Sequence, residues 1–166
     1  QKLNSVLENL MGDYNRSTRE LTLETLPADM STALKAHIEQ YELGDVLTDV
    51  LICIEATSEK VKKGLFAGPG PKVMKMGVVL TKRWLFEIRT ADKEAPYTRS
   101  LRLADIVVED HEKSAFARVV PDTGVHITGQ ATGATESGTS FIGLGKDAAG
   151  EKFKETLIRA VQEAKK

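Results

Sequence analysis

The chain has 166 residues, 41% apolar and 28% charged, with a net charge of −1, values that fit one globular domain with room for a small appendage. No apolar run reaches the ~20 residues that a membrane-spanning helix needs, and the polar residues scattered through Gln1–Leu10 do not read as a signal peptide. A single cysteine, Cys53, excludes an internal disulfide and suits a reducing, cytoplasmic setting.

The near-zero charge hides an asymmetry. Residues 1–59 are strongly acidic, whereas residues 60–83 carry Lys60, Lys62, Lys63, Lys72, Lys75, Lys82 and Arg83 and no acid. That basic block is the charge signal to follow.

In chain order, Leu3, Val6, Leu7, Leu10 and Met11 form one apolar stripe at helical spacing, ended by Gly12-Asp13. Ser17 and Glu20 have capping-box spacing and open a second short helix before Pro27, although the alternation of Leu21-Thr22-Leu23 also allows an extended chain. Met30, Ala33, Leu34, Ile38 and Tyr41 predict a helix over residues 28–41, stopped by Gly44. The period then becomes two, and Val50 to Thr57 reads as a strand. Residues 62–72 are too rich in Gly and Pro for regular structure.

Met76 to Ile88 organises the rest. Two apolar runs, Val78-Val79-Leu80 and Trp84-Leu85-Phe86, flank Thr81-Lys82-Arg83 and predict a β-hairpin. A register that sets Met76, Val78 and Leu80 on the face of Trp84, Phe86 and Ile88 puts the sole tryptophan at the heart of one sheet. Ala91 to Pro96 reads as a loop, Leu101 to Val108 as a strand bent near Asp105, and Phe116 to Val120 as a further strand. Pro121-Asp122-Thr123-Gly124 has tight-turn chemistry. Val125 to Thr128 and Thr139 to Leu144 are two more strands, separated by a Gly/Thr/Ala-rich loop. Asp147 is placed as the N-cap of a last helix whose apolar face is Phe153, Leu157, Ala160, Val161 and Ala164.

Seven short strands and one closing amphipathic helix resemble the pleckstrin-homology (PH) superfold. Three stretches are similar to bacterial PH-like domains: Gly77 to Phe86, Leu101 to Ile106, and Phe141-Ile142-Gly143-Leu144 leading to Gly150-Glu151-Lys152-Phe153. The resemblance implies an α+β fold, a bent seven-stranded antiparallel β-sandwich or partial barrel closed by a C-terminal helix. It covers a PH-like domain over residues 46–166, with residues 1–45 as an N-terminal helical extension. Eukaryotic PH domains often carry a tryptophan in the closing helix, a place held here by Phe153.

The resemblance also implies a ligand site in the basic first loop, where lipid-binding PH domains hold inositol phosphates. The candidate residues are Lys62, Lys63, Phe66, Lys72, Lys75 and Arg83, although Met74 stands where a second basic residue belongs. The plain alternative is a solvated basic edge with Phe66 folded back over the barrel end. No catalytic constellation accompanies the fold. Gly143-Leu144-Gly145-Lys146-Asp147 lacks a phosphate-loop pattern, Ser140 has no nucleophile elbow, and Cys53 has no basic neighbour on its strand. His37, His111 and His126 are far apart in sequence, so no metal site and no cofactor are expected. His37 reads as a packed core histidine, and His126 as pointing outward from its strand. Few aromatics fall outside core positions, which argues against nucleic acid. The expected function is a non-enzymatic interaction module, binding a protein partner or self-associating as a homo-oligomer. Anionic-lipid or phosphoinositide head-group binding through the basic loop is the alternative, and a hydrolase or transferase the remote one.

Overall fold

The computed structural model of the chain describes residues 14–61, 73–91 and 93–166; the helix expected over residues 3–11 lies outside them. The described residues form an α+β structure with two antiparallel sheets and a C-terminal helix. The first sheet is a meander of β1 (Tyr14–Leu21), β2 (Val50–Lys60), β3 (Val73–Thr81), β4 (Trp84–Ala91) and β5 (Glu94–Arg102), with helix α1 (Ala28–Gln40) between its first two strands. The second sheet holds β6 (Val107–Asp110), β7 (Gly124–Gly129) and β8 (Gly138–Gly143) and leads into helix α2 (Ala148–Ala164). The two sheets do not close into a barrel. Neither helix is long and apolar enough to cross a membrane.

The β3–β4 hairpin forms as the sequence predicts, but its register differs. Val79 pairs with Phe86 and Leu80 with Leu85, and residues directly opposite each other share a face. Trp84, Phe86 and Ile88 therefore lie with Val79, whereas Val78 and Leu80 lie on the other face with Leu85. The expected grouping of Val78 and Leu80 with Trp84 is overturned. Both faces are nonetheless buried. Leu80 and Leu85 meet Val125, Ile127 and Ile142 of the second sheet and Phe153 and Leu157 of α2. Val79, Phe86 and Ile88 lie under Leu26, Met30 and Leu34 of the α1 region. A strand buried on both faces has no polar side to alternate with, which is why VVL and WLF are unbroken apolar runs. Gly77 permits the close approach of α1: a Cβ there would stand 2.8 Å from the Met30 sulfur. At the tip, Thr81 Oγ1 accepts from the backbone N–H of Trp84 at 2.9 Å, closing the two-residue turn with a side chain.

Four other expectations change. Ser17 to Glu20 is strand, not helix, so the N-terminal extension is not wholly helical. The helix-start spacing loses to an eight-residue ladder with β2 and to inward-facing Arg16. The Arg16 guanidinium donates two 2.8 Å bonds to Asp122 and one of 2.6 Å to Ser58, and lies against the rings of Tyr14 and Phe141. Phe116 to Val120 is a 3-10 turn over Ala115–Arg118, not a strand, and Phe116 and Val119 face water, with Val119 80% exposed. Glu94 to Pro96 belongs to β5. The proline is tolerated because β5 is an edge strand, where a missing N–H breaks no ladder. The strand expected over Leu101 to Val108 is broken by a 3-10 turn at Leu103–Asp105, so its ends belong to β5 and β6 in different sheets, and the described residues hold eight strands rather than seven. Asp147 does cap α2, accepting from Gly150 N–H, and its second carboxylate oxygen accepts from Thr18 N–H of β1. Edge strand β1 is in this way laced to the second sheet.

The Arg16–Asp122 pair is almost wholly buried, its side chains 7% and 5% exposed. Replacing Asp122 by Ala strands a buried guanidinium and should cost about 3–5 kcal/mol in urea unfolding. Glu20→Ala, which removes the exposed partner of Lys152, should cost no more than about 1 kcal/mol. Equal effects would contradict this account of β1.

Candidate functional site: a cationic groove at the hairpin tip

Of the six residues of the expected basic-loop site, Lys62, Lys63, Phe66 and Lys72 lie outside the described residues. Lys75 is exposed near the start of β3, opposite Thr57, and Arg83 lies in the turn beyond its far end. At ~3.3 Å per residue the six strand steps from Lys75 to Thr81, just before the turn, already span about 20 Å. The two thus stand towards opposite ends of β3. Arg83 lines a groove at the far end of the sheet.

That groove, about 1160 Å³, runs between the hairpin tip, the segment leading into β2, the corner after β5 and the last turns of α2. Its position follows from the fold: Leu103 N–H bonds to Arg83 O at 2.9 Å and Lys82 N–H to Asp49 O at 3.1 Å. Those bonds fix three of the four walls to one another. Leu43, Val46 and Leu51 give it apolar surface, and Trp84 contributes an edge while remaining only 9% exposed. The indole stacks on Phe86 with centroids 6.0 Å apart, and the guanidinium of its cross-strand partner Arg102 sits 5.0 Å from the ring centre. Lys82, Arg83 and Arg159 complete an exposed cationic set. Among the described residues none of these four cations is in an ion pair with a carboxylate. Asp45, Asp49 and Glu163 also line the groove, but Glu163 is already held by Lys166 at 2.6 Å.

A smaller cleft of about 470 Å³ lies between the end of α1 and the loop joining β7 to β8. His37 Nε2 is 2.7 Å from Ser100 Oγ, which is 2.7 Å from Thr132 Oγ1. The Ser–His pairing is not a nucleophile in waiting. Ser100 is fully buried, and among the described residues no carboxylate hydrogen-bonds to His37. Burial holds His37 below the usual histidine range, as befits the packed histidine that the sequence predicts. Cys53 is equally inert, its thiol pushed up to about 11 by burial and then by the charge of Glu24.

The second histidine cluster is hidden from sequence reasoning. His111 and His126, fifteen residues apart, meet on β7 and the turn after β6, with Nδ1 of the first 2.9 Å from Nε2 of the second. His111 Nε2–H donates to Val120 O at 2.7 Å, so its Nδ1 carries the lone pair and accepts from His126 Nε2–H. His126 does not point freely outward. Burial first, then the neighbouring imidazole, holds its pKa below the usual value against the opposing pull of Glu109 and Asp122. No group of three or more metal-ligating side chains exists among the described residues.

No protein-family model matches the chain, and neither a curated protein nor a solved structure matches it at a significant level. The chemistry of the site therefore stands on its own geometry.

Both His37 and His126 have folded-state pKa values below the unfolded value of 6.5. The unfolded chain then takes up protons first, so this part of the stability is complete above pH 6.5 and is lost as pH falls through it. The urea midpoint should drop between neutral pH and the onset of carboxylate titration, and His126→Gln, which keeps a donor for His111, should flatten the drop. A midpoint constant across that window would contradict the assignment.

Proposed function

We propose that the chain is a non-enzymatic interaction module of the PH-like kind, and that the groove at the β3–β4 tip takes an extended segment of a protein partner. Strands β2 to β8 are seven in number, arranged four plus three and followed by α2. That order supports the PH-like reading, with β1 as an added edge strand. The groove is larger than the ~300–1,000 Å³ of ordinary small-molecule pockets, which favours a polypeptide over a metabolite. The observation that carries the reading is the Arg102–Trp84 stack in that groove. An aromatic and an arginine, the residue types that anchor protein interfaces, are held in place there by the sheet beneath. Against catalysis stand the buried Ser100 and the thiol of Cys53 held protonated.

Trp84 is the sole tryptophan, so its emission reports on the groove directly. Peptides selected against the full chain from a randomised display library should shift that emission saturably, and Leu51→Asp should weaken them. Selected peptides that leave Trp84 emission unchanged would overturn the groove. Sedimentation with vesicles containing anionic phospholipid at low salt separates the lipid alternative. Strong vesicle binding that the selected peptides do not displace would favour the basic loop instead.

A further inference from the structure

Resting on that reading, we infer that the groove's partner is an acidic polypeptide segment, read by Arg102 on its Trp84 platform with Lys82, Arg83 and Arg159 beside it.

Charge is the first argument. Four cations line the groove, and with Glu163 engaged by Lys166 only Asp45 and Asp49 remain to oppose them. Neither carboxylate is within ion-pair distance of a cation among the described residues. The positive excess is concentrated at the hairpin turn, where Lys82 and Arg83 are adjacent and exposed. Like charges that outnumber their counter-charges repel, and an acidic ligand relieves that repulsion.

Arginine geometry is the second. The Arg102 guanidinium lies over the Trp84 ring, 5.0 Å from its centre, with no carboxylate at ion-pair distance among the described residues. The planar fork matches a carboxylate bidentately, and a fork already oriented by a ring loses less freedom on binding. The same stack carries through to Phe86, deep in the sheet, so the platform is fixed before any partner arrives.

Shape decides between an acidic polypeptide and an anionic membrane. Leu43, Val46 and Leu51 line a concave surface. A bilayer is met by apolar side chains that protrude; a groove is filled by a segment that protrudes into it. Leu51, 40% exposed, then packs against an apolar side chain of the segment while neighbouring carboxylates meet the arginines.

The test uses the full chain and two synthetic peptides of alternating leucine and glutamate, or leucine and glutamine, titrated against Trp84 emission at low and raised salt. The glutamate peptide should bind saturably and weaken as salt rises, and the glutamine peptide should bind about tenfold more weakly. Arg102→Lys, at an exposed position and with its fold checked by circular dichroism, should lose most of that preference because a lysine cannot form the bidentate fork. Equal binding of the two peptides overturns the acidic preference while leaving the groove reading in place. Glutamate peptide that fails to bind, while library-selected peptides do, overturns it too. Failure of every peptide to perturb Trp84 removes the groove reading itself. Displacement of bound glutamate peptide by anionic vesicles would overturn the polypeptide in favour of a membrane.

Discussion

Everything in this molecule depends on the first sheet being buried from both sides at β3 and β4. One face supplies Leu80 and Leu85 to the core shared with the second sheet and α2, and the other supplies Val79 and Phe86 to the space under α1. Each fully buried side chain of this size contributes on the order of 1.5–3 kcal/mol relative to exposure. The hairpin thus gains from two cores at once, and its tip is anchored more firmly than a solvent-facing turn. That is what allows Trp84, at the first position of β4, to serve as a fixed wall of the groove.

Charge follows the same division. Buried carboxylates within the fold are met by partners. Asp122 holds Arg16, Glu55 holds Arg19, and Glu87 accepts from Arg89 and Ser140. Burying a charge without such a partner is costly. At the groove the rule is relaxed because the cations face water, so Lys82, Arg83, Arg102 and Arg159 stand without carboxylates at little cost to folding. Other surface cations such as Lys35, Lys75 and Arg118 are also without ion pairs among the described residues; what sets the groove apart is that four gather beside Trp84, and there a partner is proposed to meet them.

The sequence made the apolar parts of this architecture legible and the polar parts obscure. The period-two pattern located β2 and β7, two apolar runs around a polar triplet located the hairpin, and the Asp147 cap with its apolar face located α2. The facing of Trp84 was not legible, because unbroken apolar runs carry no phase and only the pairing of Val79 with Phe86 sets it. Strand β1 was missed because its inward residues, Tyr14, Arg16 and Thr18, are polar or amphipathic, and Arg16 is buried only through the distant Asp122. Phe116 and Val119 misled in the opposite direction, as apolar residues left in water on a segment tied down through His111 and Val120. The groove itself could not be read from spacing. Arg102 reaches Trp84 only across a strand pair, and Arg159 joins them only because α2 packs back on the sheet.

Two-sided burial is open to one direct measurement. Leu85 and Phe86 are sequence neighbours on opposite faces of β4, so a sheet covered on one side only would leave one of them dispensable. Urea unfolding of Leu85→Ala and Phe86→Ala should show both destabilised, by about 2–5 and 3–5 kcal/mol respectively. A loss below about 1 kcal/mol at either position would mean that one face is not a core, and the support for the groove would fall with it.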